Sequence, residues 1–286
     1  MQLVTKLVAE QFPQWAGLPV SPVKLSGWDN RTFHLGRNMT VRLPSAKRYA
    51  EKVHIEQEWL PKLAPNLPFP IPEPVAMGHA SKDYPWNWSI YRWIEGENAD
   101  VLDQSDLPQF AEDCARFLKE LHQIDTARGP LAGAHNFYRG GALTVYSEET
   151  NTAISKLEGI IETETVTAIW EQAVSSQWVD EPVWVHGDFS VGNIIVRDGK
   201  LAAVIDFGGM GGGDPACDLV LAWTFLTRES RAIFKSRMDM DSNTWARARG
   251  WALWKALITL VSLEGKDSPN ANQQMRVIDS VLCDNL

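Results

Sequence analysis

Three polar residues in the second half of the chain have types and a spacing suited to phosphoryl transfer. Asp188 is followed five residues later by Asn193, and Asp206 comes after a further apolar stretch. Phosphoryl transfer needs little covalent chemistry from the protein, but it needs an acceptor hydroxyl held in line and divalent metal on the phosphates. Asp188 is the candidate for accepting the hydroxyl proton. Asn193 and Asp206 carry the oxygen ligands that Mg²⁺ prefers, so we expect them to hold that ion.

The elements that must position these residues are short strands around a tight turn. An apolar run over 182–185 leads to the first carboxylate, and two more runs, 194–196 and 201–205, separate the amide from the second carboxylate. The dipeptide Asp198-Gly199 between these two runs is typical of two-residue hairpin turns. One hairpin would therefore bring two carboxylates and one amide to the same mouth.

This stretch resembles the aminoglycoside phosphotransferase family, relatives of the protein kinases. Three motifs in order carry the resemblance: HGDFSVGN at 186–193, IDFG at 205–208 and GDPACDL at 213–219. The spacing from Asp188 to Asn193 equals that of the kinase catalytic loop, and the hairpin then leads to a triplet like the kinase DFG. Each motif alone is weak, but the three in order, with strands between them, are a strong signal.

The resemblance implies an α+β, two-lobe protein-kinase-like fold. A small antiparallel β lobe with one helix would span residues 1–95 and bind the nucleotide. A larger, mainly helical lobe over 96–286 would hold the catalytic hairpin and the acceptor site. The implied reaction is transfer of the γ-phosphoryl group of ATP or GTP to a hydroxyl of a small molecule. Asp188 would be the catalytic base, with Asn193 and Asp206 as ligands of Mg²⁺.

Other polar residues near the hairpin are expected to support it. His186 is expected to brace the loop, because Asp188 already occupies the position of the base. In the family, the acids that match Asp214 and Asp218 mainly brace the catalytic loop as well. The run 208–213 contains five glycines, so it can approach a ligand closely.

In the predicted small lobe, residues 22–35 form two extended segments around a turn at Gly27. The residues alone favour an ordinary hairpin, since one glycine matches the kinase glycine pattern poorly. The position of this turn ahead of the next motifs favours a loop whose backbone amides cradle the nucleotide phosphates. Both interpretations stay open at the level of sequence.

A cation and a carboxylate follow where kinases pair a lysine with a glutamate. Arg42 stands on the predicted strand 40–44, at a place where the family usually carries a phosphate-binding lysine. Its rigid fork suits bidentate contacts with phosphate or carboxylate. A helix is predicted over 46–60, with Ser45 as its cap and Pro61 near its end. Glu56 lies on a partly apolar stripe of this helix, where a carboxylate requires a cationic partner. We therefore expect Arg42, oriented by Glu56, to contact the phosphates. An exposed strand charge is the other interpretation of the arginine. Lys24 and Lys47 are less well placed alternatives to Arg42, and Glu58 is the competitor of Glu56.

The hinge between the lobes is predicted from the segment 84–96, whose bulky residues alternate as in a strand. By resemblance, backbone groups near Trp93 and Ile94 would meet the purine edge. The aromatic side chains of the segment are expected to be mostly core.

The larger lobe is predicted to be mainly helical, and one of its helices is expected to open at Asp214-Pro215. Asp106 is the expected cap of the first helix, which runs to about residue 124, and 148–178 is expected to be helical before the catalytic loop. Two more helices are expected near 243–263, which is apolar enough to be mostly core, and 270–283.

Composition and charge narrow the class of protein. With 286 residues, one large or two small domains are expected. A net charge of -9 argues against general binding of nucleic acid, which needs a basic surface, and is compatible with a cationic acceptor. Three widely separated cysteines suggest neither a disulfide framework nor a metal site, so a reduced cytoplasm is the simple expectation. No apolar run approaches the length of about 20 residues that a membrane span needs. We expect a monomer or a homodimer.

Two alternatives to an aminoglycoside acceptor remain at this stage. One is the same chemistry on another small alcohol, such as a sugar, choline, homoserine or a macrolide. The other is a non-catalytic, kinase-like protein that binds nucleotide, an interpretation favoured by Arg42 and by the weak glycine loop. The intact set of Asp188, Asn193 and Asp206 argues against the second alternative.

Overall fold

A computed structural model describes residues 1–24, 27, 29–265 and 267–284. Its first part is a five-stranded antiparallel sheet with the strand order β1-β2-β3-β5-β4. The elements of this part are α1 (Gln2–Gln11), β1 (Val20–Pro22), β2 (Asn30–Leu35), β3 (Met39–Pro44), α2 (Lys47–Leu63), β4 (Pro74–Gly78) and β5 (Trp88–Arg92). The predicted small β lobe with a helix next to the sheet is therefore confirmed.

Strand β3 divides its side chains between two environments. Val41 and Leu43 are buried in an apolar cluster with Ile90 of β5 and with residues of α1. Because side chains alternate along a strand, Arg42 points to the opposite side, where it meets α2. The alternation thus places the one charged side chain of β3 on the face of the sheet that borders the site.

Helix α2 departs from the sequence prediction at both ends. It continues through Pro61 to Leu63, although we expected it to end near that proline. Ser45 is not its cap: Ala46 occupies the N-cap position, and the Ser45 hydroxyl donates instead to the backbone carbonyl of Asp29, at 3.1 Å. The end of the segment that contains the predicted phosphate loop is therefore attached to the start of α2.

The remaining elements form the helical part and two small sheets. The helices are α3 (Leu107–Gln123), α4 (Ser147–Lys156), α5 (Thr163–Val174), α6 (Leu221–Thr224), α7 (Arg228–Met238), α8 (Ser242–Ser262) and α9 (Pro269–Leu282). The strands are β6 (Glu97–Asn98), β7 (Val183–Val185), β8 (Ile194–Arg197), β9 (Lys200–Val204) and β10 (Gly211–Gly213). Helix α8 is buried along most of its length, as predicted. The expected helix over 148–178 is two helices, separated where Gly159 adopts a left-handed φ of +77°.

The catalytic hairpin forms as the sequence predicts. β8 and β9 pair antiparallel, and the turn residues Asp198 and Gly199 have φ values of 51° and 73°, both left-handed as in a type I′ turn. β6 joins this hairpin along β8, and β10 pairs with β7. Residues that follow the large-lobe strands β7 and β9 therefore lie side by side. The division of the lobes near residue 95 stays a prediction, and β6 beyond it already pairs with the hairpin.

In the described part of the chain, no helix combines the length and the apolar composition that crossing a bilayer requires.

Candidate active site

The loop after β7 is held by one buried carboxylate. The backbone amides of His186 and Gly187 donate to the two oxygens of Asp218, at 2.6 and 2.8 Å. Gly187 has a φ of +81°, and a Cβ at this position would lie 2.1 Å from the carbonyl oxygen of Gly209. The loop thus packs directly on the glycine run after β9, and only glycine fits there. These contacts agree with the bracing role expected for Asp218.

The ring of His186 connects the same loop to the end of β9. Its Nε2 donates to the carbonyl of Ile205, at 2.9 Å, while Nδ1 accepts the backbone N–H of Asp188, at 3.2 Å. With one nitrogen donating and the other accepting, the ring is a neutral imidazole. The side chain is fully buried and packs against Phe207. His186 therefore orients Asp188 and does not face the open cleft, in agreement with the structural role predicted for it.

Asp188 and Asn193 lie together, as their spacing predicts. The Asn193 side-chain nitrogen donates to the backbone carbonyl of Asp188, at 2.9 Å, and to its Oδ2, at 3.0 Å. Asp188 itself is exposed. Because the amide nitrogen of Asn193 is used in this way, its carbonyl oxygen is the atom left for a metal ion. The backbone carbonyl of Asn193 accepts from the backbone N–H of Ile205, at 2.8 Å. Asn193 is therefore bonded to the residue that precedes Asp206.

Arg42 joins the two sides of the cleft between the small sheet with α2 and the hairpin of β8 and β9. Its Nη2 donates to Oδ1 of Asp206, at 2.8 Å, and its Nη1 lies 3.8 Å from Oε1 of Glu56. The hydroxyl of Tyr91 in β5 donates to the other oxygen of Glu56. The structure thus brings the predicted pair Arg42 and Glu56 together, and it adds a contact with Asp206 that the sequence does not suggest. Asp206 adopts a left-handed φ of 63°, which turns its side chain back toward the arginine.

The charges of this group follow from burial and from the arginine. Burial opposes ionisation of the Glu56 and Asp206 carboxyls, and Arg42 favours it at both. The balance of the two effects differs between these carboxyls. The pKa of Glu56 is raised by burial in spite of Arg42, whereas the ion pair and hydrogen bond with Arg42 outweigh burial and lower the pKa of Asp206. Burial also opposes the charge of Arg42, yet Asp206 and Glu56 raise its pKa. The guanidinium and the Asp206 carboxylate are therefore both charged at neutral pH.

The donor set fits Mg²⁺ of the kind that kinases share with their nucleotide. Among the described residues no cluster of three or more His, Cys, Asp or Glu side chains could enclose an ion. Asp206 and Asn193 instead offer one carboxylate and one amide oxygen. Asn193 directly precedes β8 and Asp206 follows β9, so both lie at the mouth of the hairpin. Mg²⁺ is typically held by one or two protein carboxylates together with water and phosphate oxygens, so an incomplete protein shell is the expected one.

The other predicted nucleotide contacts lie just after the end of β5 and at Gly27 between β1 and β2. The amide of Trp93 donates to the carbonyl of Asn38, at 2.8 Å, and its ring packs on His34 with the centroids 4.3 Å apart. The amide of Ile94 has no hydrogen-bond partner in the described ranges, so within the predicted hinge it is a donor that is available to a ligand. Gly27 is exposed, and a Cβ there would contact nothing within 4 Å. Most of the turn beside it, residues 25, 26 and 28, lies outside the described residues.

Several residues at the site, among them Lys52 and Asn136, have no role in the sequence-based predictions. Lys52 is buried on α2, one turn before Glu56, and its Nζ lies 3.2 Å from Oδ2 of Asp29. Asn136 is fully buried, and its side-chain nitrogen donates to the carbonyls of Arg139 and Gly209. The helical spacing of Lys52 and Glu56 could have indicated the first residue. No local pattern marks Asn136 as a residue of the site, because its contact with Gly209, 73 residues away in the chain, is set by tertiary structure.

Asn136 fixes a loop that lies next to the glycine before Asp188. The exposed residues Phe137 and Tyr138 both have φ values of 55°, an uncommon conformation for bulky side chains. Arg139 follows, with its Cβ 3.1 Å from the position of a Cβ on Gly187, and its guanidinium lies over the ring of Trp254 in α8, at 4.9 Å. Aromatic and cationic groups therefore border the catalytic loop here.

A sheet-based lobe joined to a helical lobe, with paired carboxylates at the mouth of one hairpin, defines the class of kinase-like phosphotransferases. A model of the phosphotransferase enzyme family matches residues 20–251, which is more than half of the chain. The chain belongs to that family. No curated protein sequence matches it.

Solved structures of similar fold span nearly the whole chain. A complex of APH(2")-IIIa with GDP and kanamycin is 18% identical, with 100% of both chains covered and a TM-score of 0.77. The ADP-bound aminoglycoside phosphotransferase APH(2")-Ib is 21% identical, with 99% of this chain and 96% of that chain covered and a TM-score of 0.61. Macrolide 2'-phosphotransferase MphH from Brachybacterium faecium is 16% identical, with 100% and 98% covered and a TM-score of 0.63. At such identities the likeness shows the fold.

Proposed function

We propose that this protein transfers the γ-phosphoryl group of ATP or GTP to a hydroxyl of a small molecule, with Asp188 as the catalytic base. The observation that carries the proposal is the arrangement at the hairpin mouth. An exposed Asp188 carboxylate is oriented by Asn193 where the chain enters the hairpin, and Asp206 meets Arg42 where the chain leaves it, so both lie at the same open end. An acceptor hydroxyl and a triphosphate can therefore meet at that end.

Asp188 accepts the proton of the hydroxyl as the oxygen attacks the γ-phosphorus. The bond from that phosphorus to the β-phosphate oxygen breaks in the same reaction, and the nucleoside diphosphate leaves. Its backbone amide is held by His186 and its carboxylate by Asn193, so the base needs little reorganisation. Asp206 and the carbonyl oxygen of Asn193 would hold Mg²⁺. When bound, that ion neutralises the charge of the phosphates.

The small lobe supplies the nucleotide contacts in this proposal. Arg42 binds the phosphates and is oriented by Glu56, while the backbone near Trp93 and Ile94 meets the purine and the turn at Gly27 covers the phosphates. The contact between Arg42 and Asp206 supports this assignment, because it places the guanidinium beside the proposed metal ligand.

The acceptor is proposed to be a hydroxylated antibiotic of one of the two classes for which the similar structures are named. Kanamycin, an aminoglycoside, and a macrolide represent them. Antibiotic resistance, from an enzyme acting in the cytoplasm, would be the result of either activity. A sugar, choline or homoserine acceptor is the alternative within the same chemistry.

The test is phosphate transfer from ATP and from GTP with Mg²⁺ over a panel of aminoglycosides, macrolides, sugars and amino alcohols, with Asp188→Ala as the blank. We expect turnover of one acceptor class that disappears in the variant. Nucleotide binding by both proteins without turnover of any panel member would favour the non-catalytic alternative. Turnover that persists in Asp188→Ala would contradict the proposed base.

A further inference from the structure

Lys52 is a buried lysine whose position needs an explanation. Its side chain is 10% exposed, and lysine is rarely this buried without a paired charge. The ammonium lies 3.2 Å from the Asp29 carboxylate and 4.5 Å from the ring centroid of Phe137. The Asp29 side chain is 34% exposed, so the ion pair is accessible to solvent through its acidic member. A buried charge of this kind is retained at a cost in desolvation, and so points to a use.

The stem of Lys52 lies on the glycine that follows Asp206 and Phe207. A Cβ built on Gly208 would lie 3.4 Å from Cδ of Lys52, 3.5 Å from Oδ1 of Asp206 and 3.7 Å from Oε1 of Glu56. Lys52 is therefore next to the proposed metal ligand and to the carboxylate that orients Arg42. Helix α2 contributes both a carboxylate and a cation to the phosphate side of the cleft.

The two cations at this place differ in their freedom to reach a new anion. Arg42 is a rigid fork between Asp206 and Glu56 and also lies near the ring of Tyr91. Lys52 is a point charge with three donors on a flexible stem. Within the described ranges, the carboxylate of Asp29 is the one that lies within ion-pair distance of Lys52. Lys52 can therefore add a phosphate oxygen to its contacts, or exchange Asp29 for one, without separating Arg42 from Glu56.

We infer that Lys52 binds oxygens of the nucleoside triphosphate, as a second phosphate-binding cation beside Arg42. The inference rests on the proposed function, and it assigns to α2 the flexible lysine that the family usually carries on the strand of Arg42. Asp29 holds the ammonium in place until it meets the more highly charged phosphates. The step is an exchange of ion pairs, in which no bond is made or broken.

The test measures the affinity for non-hydrolysable analogues of ATP and GTP with Mg²⁺, by calorimetry at fixed ionic strength and without acceptor. Lys52→Gln is expected to weaken this affinity about 10- to 100-fold, since a charge-assisted hydrogen bond contributes on this scale. Affinity for adenosine and guanosine, which lack phosphates, is expected to stay unchanged. Lys62→Gln is the matched control, because Lys62 lies on the same helix and is paired with Glu58, but its side chain is 52% exposed.

Asp29→Asn distinguishes two roles of Lys52. The lysine either binds phosphate or acts as a strap, that is, it only holds the loop at Asp29 in place through the ion pair. The substitution removes the ion pair but keeps the Asp29 carbonyl that accepts from Ser45. If Lys52 binds phosphate, Asp29→Asn keeps or increases the affinity for the triphosphate. Equal losses in Lys52→Gln and Asp29→Asn would overturn the inference in favour of a strap, and an unchanged affinity in Lys52→Gln would overturn it outright.

The outcomes also separate this inference from the proposed function. A wild-type protein that binds neither triphosphate contradicts both. A wild type that binds and turns over an acceptor, with Lys52→Gln equally tight, contradicts only the role of Lys52. If the Gln variant does not fold, Lys52→Met keeps the apolar stem on Gly208 and removes the same charge.

Discussion

The two sides of the cleft are built from different kinds of contact. On the large-lobe side, Asp218, His186 and Asn193 hold the catalytic loop through bonds between side chains and the backbone. On the small-lobe side, Arg42 and Glu56 are held by ion pairs between side chains, one of which crosses to Asp206. Backbone contacts determine the position of the proposed base closely, because the backbone of a packed loop cannot rotate away. Ion pairs between long side chains can exchange partners, which suits a site that must accept a charged ligand.

This contrast leads to separable effects on turnover, stability and nucleotide affinity. Substitutions on the catalytic side should change kcat, together with stability where the residue is a brace. Substitutions on the phosphate side should change the nucleotide KM and its salt dependence.

The largest effect is expected for Asp188→Ala. Loss of a general base typically costs about 10²–10⁴-fold, so kcat should fall by that factor while the affinity for nucleotide stays within about twofold. Steady-state rates with saturating nucleotide, and a separate nucleotide titration, measure the two quantities. A variant that keeps more than a tenth of the wild-type kcat would remove Asp188 from the role of base.

Asp218→Asn tests the brace itself. An amide offers one acceptor oxygen where the carboxylate now accepts from two backbone amides, so one buried N–H loses its partner. We expect kcat to fall about 10- to 100-fold and the free energy of unfolding to fall by about 2–3 kcal/mol. Urea unfolding and kcat are measured together, with Asp279→Asn on the exposed face of α9 as the control. Loss of stability with full kcat would show that the loop does not depend on this carboxylate.

Arg42→Lys sharpens the comparison on the phosphate side. A lysine has one nitrogen and cannot occupy both places now taken by Nη1 and Nη2, so Glu56 or Asp206 loses its partner. We expect the nucleotide KM to rise about 10-fold, with kcat changed less, because charge-assisted hydrogen bonds contribute about 1.5–3 kcal/mol. Kinetics at two ionic strengths measure this effect, with the exposed Arg37→Lys as the control. An equal fall in kcat with unchanged KM would move Arg42 to the catalytic side.

The smallest effect on turnover, and a distinct effect on stability, is expected at His122 in α3. Burial lowers the pKa of this histidine to about 4, and its Nε2 has no hydrogen-bond partner in the described residues. The unfolded chain takes up the proton near pH 6.5 and the folded chain only near pH 4. The contribution of neutral His122 to the free energy of unfolding is therefore fully present above pH 6.5. It is lost as the pH falls from 6.5 to 4, by about 3 kcal/mol in total.

His122→Gln should remove this loss of stability. The free energy of unfolding of the variant, relative to wild type, is expected to rise between pH 6.5 and 4, while kcat at neutral pH stays within about twofold. Urea unfolding at several pH values measures it, with His79→Gln at an exposed position as the control. A constant difference between variant and wild type across the window would show that His122 does not titrate on unfolding.

Local signals predicted those parts of the site that a few neighbouring residues can build. The Asp198-Gly199 turn and the apolar runs on either side of it specify the hairpin, since turn conformation and strand propensity are local properties. The same signals failed at Ser45, whose hydroxyl bonds to Asp29 instead of capping α2, and near Gly159, where the expected helix divides in two. At those places tertiary contacts and a left-handed glycine outweigh helix propensity.

The sequence by itself determined the order and spacing of Asp188, Asn193 and Asp206, and with them the chemistry and the fold class. Only the tertiary structure decided which charges meet. Arg42 and Asp206 are 164 residues apart in the chain, and Lys52 finds its partner 23 residues away across two elements. A charged side chain carries no local sign of its partner, because the attraction acts through space and depends on the burial that the whole fold creates.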